Sequence, residues 1–143
     1  MKTSLYHIQI NVSDAIKSLP FYKDFFDYFE YKIIDESSEH IGVSNGTTDF
    51  WIIETENGFK KELFHRKNTG INHLAFQVSS KDDVDIFFED FVKLRELPVL
   101  YETPKFFPEY GEGYYSLFFE GPDRIKIEVV HKLKFYGSYY EKN

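Results

Sequence analysis

Two stretches of this chain match one another, and the match limits the folds open to it. His7-Ile-Gln-Ile-Asn-Val-Ser13 aligns with His73-Leu-Ala-Phe-Gln-Val-Ser79 at one fixed offset, and at that offset Phe21, Tyr22, Asp24 and Phe25 fall on Phe87, Phe88, Asp90 and Phe91. A strand and the helix after it keep register without a gap. That pattern points to duplication of one supersecondary unit.

Each half repeats the same order of elements. Tyr6, Ile8, Ile10 and Val12 alternate with His7, Gln9 and Asn11, the period-two signature of a strand with one polar face. Ser13 and Asp14 supply turn and capping chemistry. Pro20 is expected in the first turn of a helix that starts near Ser18, with Tyr22, Phe25, Phe26 and Phe29 as its apolar stripe. Strands are predicted at about 31–36, 39–44 and 48–56, the last two joined at Asn45-Gly46. In the second half the predicted strands are about 71–79, 97–101, 113–120 and 124–131. There Ser80 caps a helix striped by Val84, Phe87, Phe88 and Phe91, and Gly121-Pro122-Asp123 makes the last turn. The stretch 102–113 reads as a long loop, and the tail 132–143 has no predicted place. The reading is α+β: two βαβββ modules, about 3–56 and 70–131, joined by a linker at 57–69 into one domain, with curved mixed sheets.

Composition narrows the chemistry. With 16 Phe and 11 Tyr in 143 residues there is ample core material, so folding needs no disulfide or metal. The absence of Cys excludes disulfides, Cys-ligated zinc, iron–sulfur clusters and Cys catalysis. A net charge of -7 without a basic cluster disfavours nucleic acid as a partner. No segment has the length of a signal peptide's apolar region or a membrane span. The expectation is therefore a soluble, cytoplasmic protein.

The two first strands both open on a histidine, His7 and His73, and the last strands carry Glu128 and Glu54, with Ile127-Glu128-Val129 similar to Ile53-Glu54-Thr55. Imidazole and carboxylate together suit Mn, Fe, Co, Ni or Zn without selecting among them. Glu54 shares parity with Phe50 and Ile52. If the face bearing Trp51 and Ile53 lines the cleft, Glu54 lies outside the site and three ligands remain. His40, His65 and His131 have no counterpart in the other half and read as surface residues.

Three motifs in this order resemble the vicinal-oxygen-chelate superfamily, which includes glyoxalase I, fosfomycin-resistance transferases, extradiol dioxygenases and bleomycin-binding proteins. They are His7-x-x-x-x-Val-Ser-Asp with Phe21-Tyr-Lys-Asp-Phe25, Gly70-Ile-Asn-His73-Leu-Ala-Phe-Gln-Val78, and Phe118-Phe-Glu-Gly-Pro-Asp123 leading to Glu128; together they span about residues 3–131. The chain departs from the family pattern at Arg124, where a glycine is usual, and at Phe118, where ring-cleaving dioxygenases commonly carry a tyrosine. The resemblance implies a glyoxalase/bleomycin-resistance/dioxygenase fold and a divalent metal on His7, His73 and Glu128, with Glu54 as a fourth ligand. It implies Glu128 or Glu54 as the proton-moving carboxylate, a homodimer, and a small-molecule substrate that chelates the metal through vicinal oxygens. A cleft lined by Trp51, Phe106, Phe107, Tyr110 and Tyr115 is expected. Glyoxalase I-like lyase or isomerase chemistry is the leading expectation. The alternatives are an Fe(II) extradiol-type dioxygenase, an antibiotic thiol transferase and a non-catalytic drug-binding resistance protein.

Overall fold

A computed structural model describes residues 1–133; the tail expected at 132–143 lies outside the described residues from position 134 onward. The chain divides into two compact units, Met1–Phe64 and His65–Asn143. No helix among the described residues is long and apolar enough to cross a membrane.

The first unit runs β1 (His7–Val12), α1 (Ala15–Tyr28), β2 (Lys32–Glu36), β3 (His40–Ser44) and β4 (Asp49–Glu54). Its sheet has the order β1-β4-β3-β2, with β1 parallel to β4 and the other pairs antiparallel. Asp14 caps α1, accepting from the Ile16 and Lys17 amides at 3.0 and 3.3 Å, so the helix starts three residues before the expected Ser18. Pro20 consequently lies inside it. Pro20 has no N–H to offer the Ile16 carbonyl, and both residues are exposed. Tyr22, Phe25 and Phe26 bury fully against the sheet, and the Phe26 and Phe50 rings lie 4.9 Å apart. Each such ring contributes roughly 1.5–3 kcal/mol through burial.

The second unit repeats the plan with β5 (His73–Gln77), α2 (Lys81–Phe87), β6 (Val99–Phe106), β7 (Tyr115–Glu120) and β8 (Lys126–His131). Its order is β5-β8-β7-β6, with β5 and β8 parallel. Ser80 and Asp83 form a reciprocal capping box at the start of α2, which satisfies two otherwise orphaned amides. The helix continues as a π-helical stretch, Phe88–Lys93. The wider turn alters the expected stripe: Val84, Phe87, Phe91 and Val92 are buried, whereas Phe88 is half-buried. The architecture is thus two four-stranded mixed sheets, each with its own helix.

The stretch 102–113 is not a simple loop. Strand β6 pairs Leu100 with Phe118 and then Lys105 with Ser116, so residues 101–104 bulge out of the ladder. Thr103 fills the gap: its hydroxyl accepts from the Phe118 amide at 2.9 Å and donates to the Leu100 carbonyl at 2.8 Å. Tyr101 and Glu102 take positive φ at 61° and 55°, an uncommon state outside glycine that a bulge can impose.

Candidate functional site

In the second unit every residue of β7 and all of β8 except His131 is buried, on both faces of the sheet. One face meets the helix, where the Phe87 and Phe119 rings lie 5.9 Å apart. By strand parity the other face presents Ser116, Phe118 and Glu120 from β7, Lys126, Glu128 and Val130 from β8, and His73 from β5. Above it opens a cavity of about 540 Å³ lined by His73, Tyr101, Phe107, Tyr110, Tyr114, Phe118, Lys126 and Glu128.

Glu128 is only 2% exposed. A bare carboxylate at that depth is unfavourable unless each oxygen is satisfied, and here Oε1 has two hydroxyl donors. Oε1 accepts from the Tyr114 hydroxyl at 2.6 Å and the Ser116 hydroxyl at 2.7 Å. Oε2 lies 3.0 Å from His73 Nε2. Burial, and then the hydrogen bond to Glu128, push the Tyr114 phenol well above its ordinary value, so it remains a donor to the carboxylate.

His73 is fixed from its other side. The Asn72 amide nitrogen donates to the Arg66 carbonyl at 3.0 Å, which turns the Asn72 oxygen toward His73 Nδ1 at 2.9 Å. That arrangement favours a proton on Nδ1 and aims Nε2 into the cavity beside Glu128. Arg66, in turn, is pinned by an ion pair with Glu120. A neighbour that sets the tautomer of a ligating histidine by bonding its other nitrogen is a recurring feature of metal sites. The spacing fits as well: two donors each about 2.1 Å from one cation at a right angle lie about 3.0 Å apart. His73 and Glu128 therefore fit one side of a divalent-cation site. Among the described residues, no unit gathers three His, Asp or Glu side chains at one point.

Two of the expected ligands, His7 and Glu54, belong to the first unit. His7 is exposed at the start of β1, on the sheet face of the first unit that bears Gln9, Asp49 and Trp51. Glu54 ends β4 beside Val12, and its carboxylate accepts from Lys60 Nζ at 2.9 Å and from the Ala15 amide at 3.5 Å. The Lys60 hydrogen bond foremost holds that carboxyl below its ordinary value. Register also corrects the repeat: Ala75 pairs with Glu128, whereas its counterpart Gln9 pairs with Trp51. Trp51, not Glu54, therefore stands where Glu128 stands in the second unit. The similar Ile-Glu triplets misled because they sit three positions apart along equivalent strands.

Of the aromatic residues expected along a cleft, Phe107 and Tyr110 line the cavity, stacked 5.3 Å apart. Tyr115 turns to the helix, donating to Asp85 at 2.7 Å, and Phe106 packs on it at 4.8 Å. Trp51 belongs to the first unit, where it lies across Gly42; a Cβ there would come within 2.7 Å of the indole. His40 pairs with Asp35 at 2.8 Å, and His131, expected at the surface, has its Nδ1 buried without a partner among the described residues. Tyr101, Tyr114, Ser116 and Lys126 were not expected at the site. The parity of 113–120 and 124–131 carried the only signal, because Ser116, Phe118, Lys126 and Glu128 fall on one face once the two strands are paired.

The comparisons with known proteins agree with this architecture. A profile of the Glyoxalase/Bleomycin resistance protein/Dioxygenase superfamily matches residues 4–129. The uncharacterized protein YqjT of Bacillus subtilis (strain 168) is 34% identical over 126 residues, covering 88% of this chain and 97% of that protein. The crystal structure of a candidate glyoxalase from Bacillus halodurans superposes with a TM-score of 0.81 at 35% identity, over 90% of this chain and 95% of the other. The fosfomycin resistance protein FosX of Listeria monocytogenes shares the fold at 24% identity and a TM-score of 0.66, over 92% of this chain and 95% of that chain.

Proposed function

Because this chain belongs to the glyoxalase/bleomycin resistance protein/dioxygenase superfamily, we propose that it is a metal-dependent lyase or isomerase of glyoxalase type acting on a small, oxygen-chelating substrate. The pairing of half-buried His73 Nε2 with buried Glu128 Oε2 at the cavity wall supports this reading most strongly. His73 and Glu128 are the proposed ligands of the second unit, with His7 as a third, drawn from the first unit of the same chain or of a second copy in a homodimer. Glu54 is left out, since Lys60 and the start of α1 already engage its carboxylate. Bound there, a divalent cation supplies Lewis acidity to the substrate's paired oxygens.

The protein's own groups set the conditions for that chemistry. Tyr114 and Ser116 hold Glu128 Oε1, so Oε2 alone faces the cavity beside His73. When it is not engaged by the cation, Glu128 Oε2 would be the oxygen placed to accept a proton from a carbon held beside it. Phe107, Phe118 and Tyr110 line that wall and give the substrate an apolar bed. Phe118 offers no hydroxyl for the acid–base role a ring-cleaving dioxygenase assigns to a tyrosine, which favours the lyase reading.

The test is metal content. Elemental analysis of purified His7→Ala, His73→Ala and Glu128→Gln should each show divalent metal reduced at least severalfold against the parent chain. Full occupancy in all three overturns the assignment.

A further inference from the structure

Lys126 is a second unusual group in the cavity. It is 7% exposed, and a buried ammonium requires compensation. Its direct neighbours supply aromatic faces but no countercharge. Nζ lies 5.2 Å from the Phe118 ring centre and 5.3 Å from that of Tyr101. The one hydrogen-bond acceptor it reaches among the described residues is the Tyr101 hydroxyl, at 3.5 Å. Glu120 stands directly across the ladder from Lys126, yet its oxygens are engaged by Arg66 and by Arg124, the latter at 3.4 Å. Glu128, two residues along on the same face, is engaged by Tyr114, Ser116 and His73. Lys126 is therefore a buried cation that lines the cavity with no carboxylate in ion-pair range among the described residues.

We infer that Lys126 is the anion-binding subsite of this cavity, and that the natural ligand is a small acid. This rests on the proposed metal site only for the ligand's other end. The β5–β8 register sets Lys126 directly beside His73. Two residues of strand separate Lys126 from Glu128, roughly 7 Å at about 3.3 Å per residue. A ligand that spans them carries a carboxylate or phosphonate some 5–7 Å from its chelating oxygens, by the same strand spacing. The body between them lies against Phe107, Tyr110 and Phe118, which suits an aromatic or otherwise apolar skeleton. The Tyr101 hydroxyl, thrust over the cavity by the β6 bulge, is placed to share the oxyanion with the ammonium.

Benzoate, phenylphosphonate and neutral benzamide make suitable probes, because they share the ring and differ in the head group. Each is titrated into the full chain, as purified and again in the presence of a chelator, while the backbone amides of β8 are followed by NMR. At least one anion should bind tenfold or more tightly than benzamide under both conditions. The better of the two anions separates a carboxylate site from a phosphonate site. Lys126→Met keeps the length and apolar stem of the side chain and should abolish the preference, whereas Lys126→Arg should keep it. Equal binding of benzamide in the parent chain, or binding of none of the three, overturns the inference without any variant. So does a preference that survives in Lys126→Met. A preference that disappears with the chelator assigns the anion to the metal instead, and metal loss in His73→Ala with the anion preference intact leaves this subsite standing alone.

Discussion

Glu128 and Glu120 occupy one face of one sheet and are both buried, yet different chemistry holds them. Glu128 is surrounded by hydroxyls and an imidazole, a set that still leaves one oxygen for a ligand. Glu120 sits between two guanidiniums, an arrangement closed to ligands. Burial pushes the Glu120 carboxyl up, but hydrogen bonds from Arg124 and Arg66 outweigh it and hold the group below its ordinary value. A depressed carboxyl contributes stability above its unfolded value and loses it as pH falls through the folded one. Glu120→Gln should therefore cost roughly 3 kcal/mol at neutral pH, the low end for breaking a buried pair. The difference between variant and parent should shrink below about pH 4, near the ordinary glutamate value. Urea denaturation at pH 7 and pH 3 measures both. A constant difference across that range would show that charge is not what Glu120 contributes. The same substitution loosens Arg66, and through it Asn72 and His73, so it should also weaken whatever binds at Nε2.

At the scale of elements, β6 is the part that builds the cavity wall. At its bulge the Thr103 hydroxyl accepts from the Phe118 amide in place of a β6 carbonyl. Thr103→Val keeps the shape and leaves that buried amide unpaired, which should cost about 2 kcal/mol. The corresponding fall in Tm is about 6 °C for a domain of this size, readable by calorimetry. An unchanged Tm would mean that the bulge holds its shape without the hydroxyl. This is also where the sequence was hardest to read. Alternation exposes β1 and β5, and the aromatic stripes expose both helices. His73 and Glu128 stand out because a histidine recurs at the head of each repeat and a glutamate lies within the strand that follows Gly121-Pro122-Asp123. Residues 102–113, with their prolines and glycines, look like irregular chain, because a strand interrupted by a bulge has lost its period. Tyr101, Tyr114 and Lys126 were hidden for the same reason, since their roles depend on how β6, β7 and β8 pair. Glu54 shows the opposite failure: a local match to Glu128 outran the register, and only the pairing of Gln9 with Trp51 reveals it.

For the whole molecule, the duplication leaves two sheets of one plan with unequal equipment. The second unit holds the His73–Glu128 pair, and the first has Trp51 at the position equivalent to Glu128 and an exposed His7. If His7 completes the site across a homodimer, mixing His7→Ala with His73→Ala chains should restore about one quarter of the parent metal content, since half of the pairs are mixed and each holds one intact site. No recovery on mixing would place all three ligands in one chain or remove His7 from the set. The most direct measurement is calorimetric titration of Mn²⁺ or Zn²⁺ into the chelator-stripped chain, beside His73→Ala, Glu128→Gln and Ser116→Ala. The account predicts tight binding to the parent, a loss of at least a hundredfold in the first two variants, and about tenfold in the third, whose hydroxyl braces the ligand from behind. Equal affinity in all four chains would contradict it.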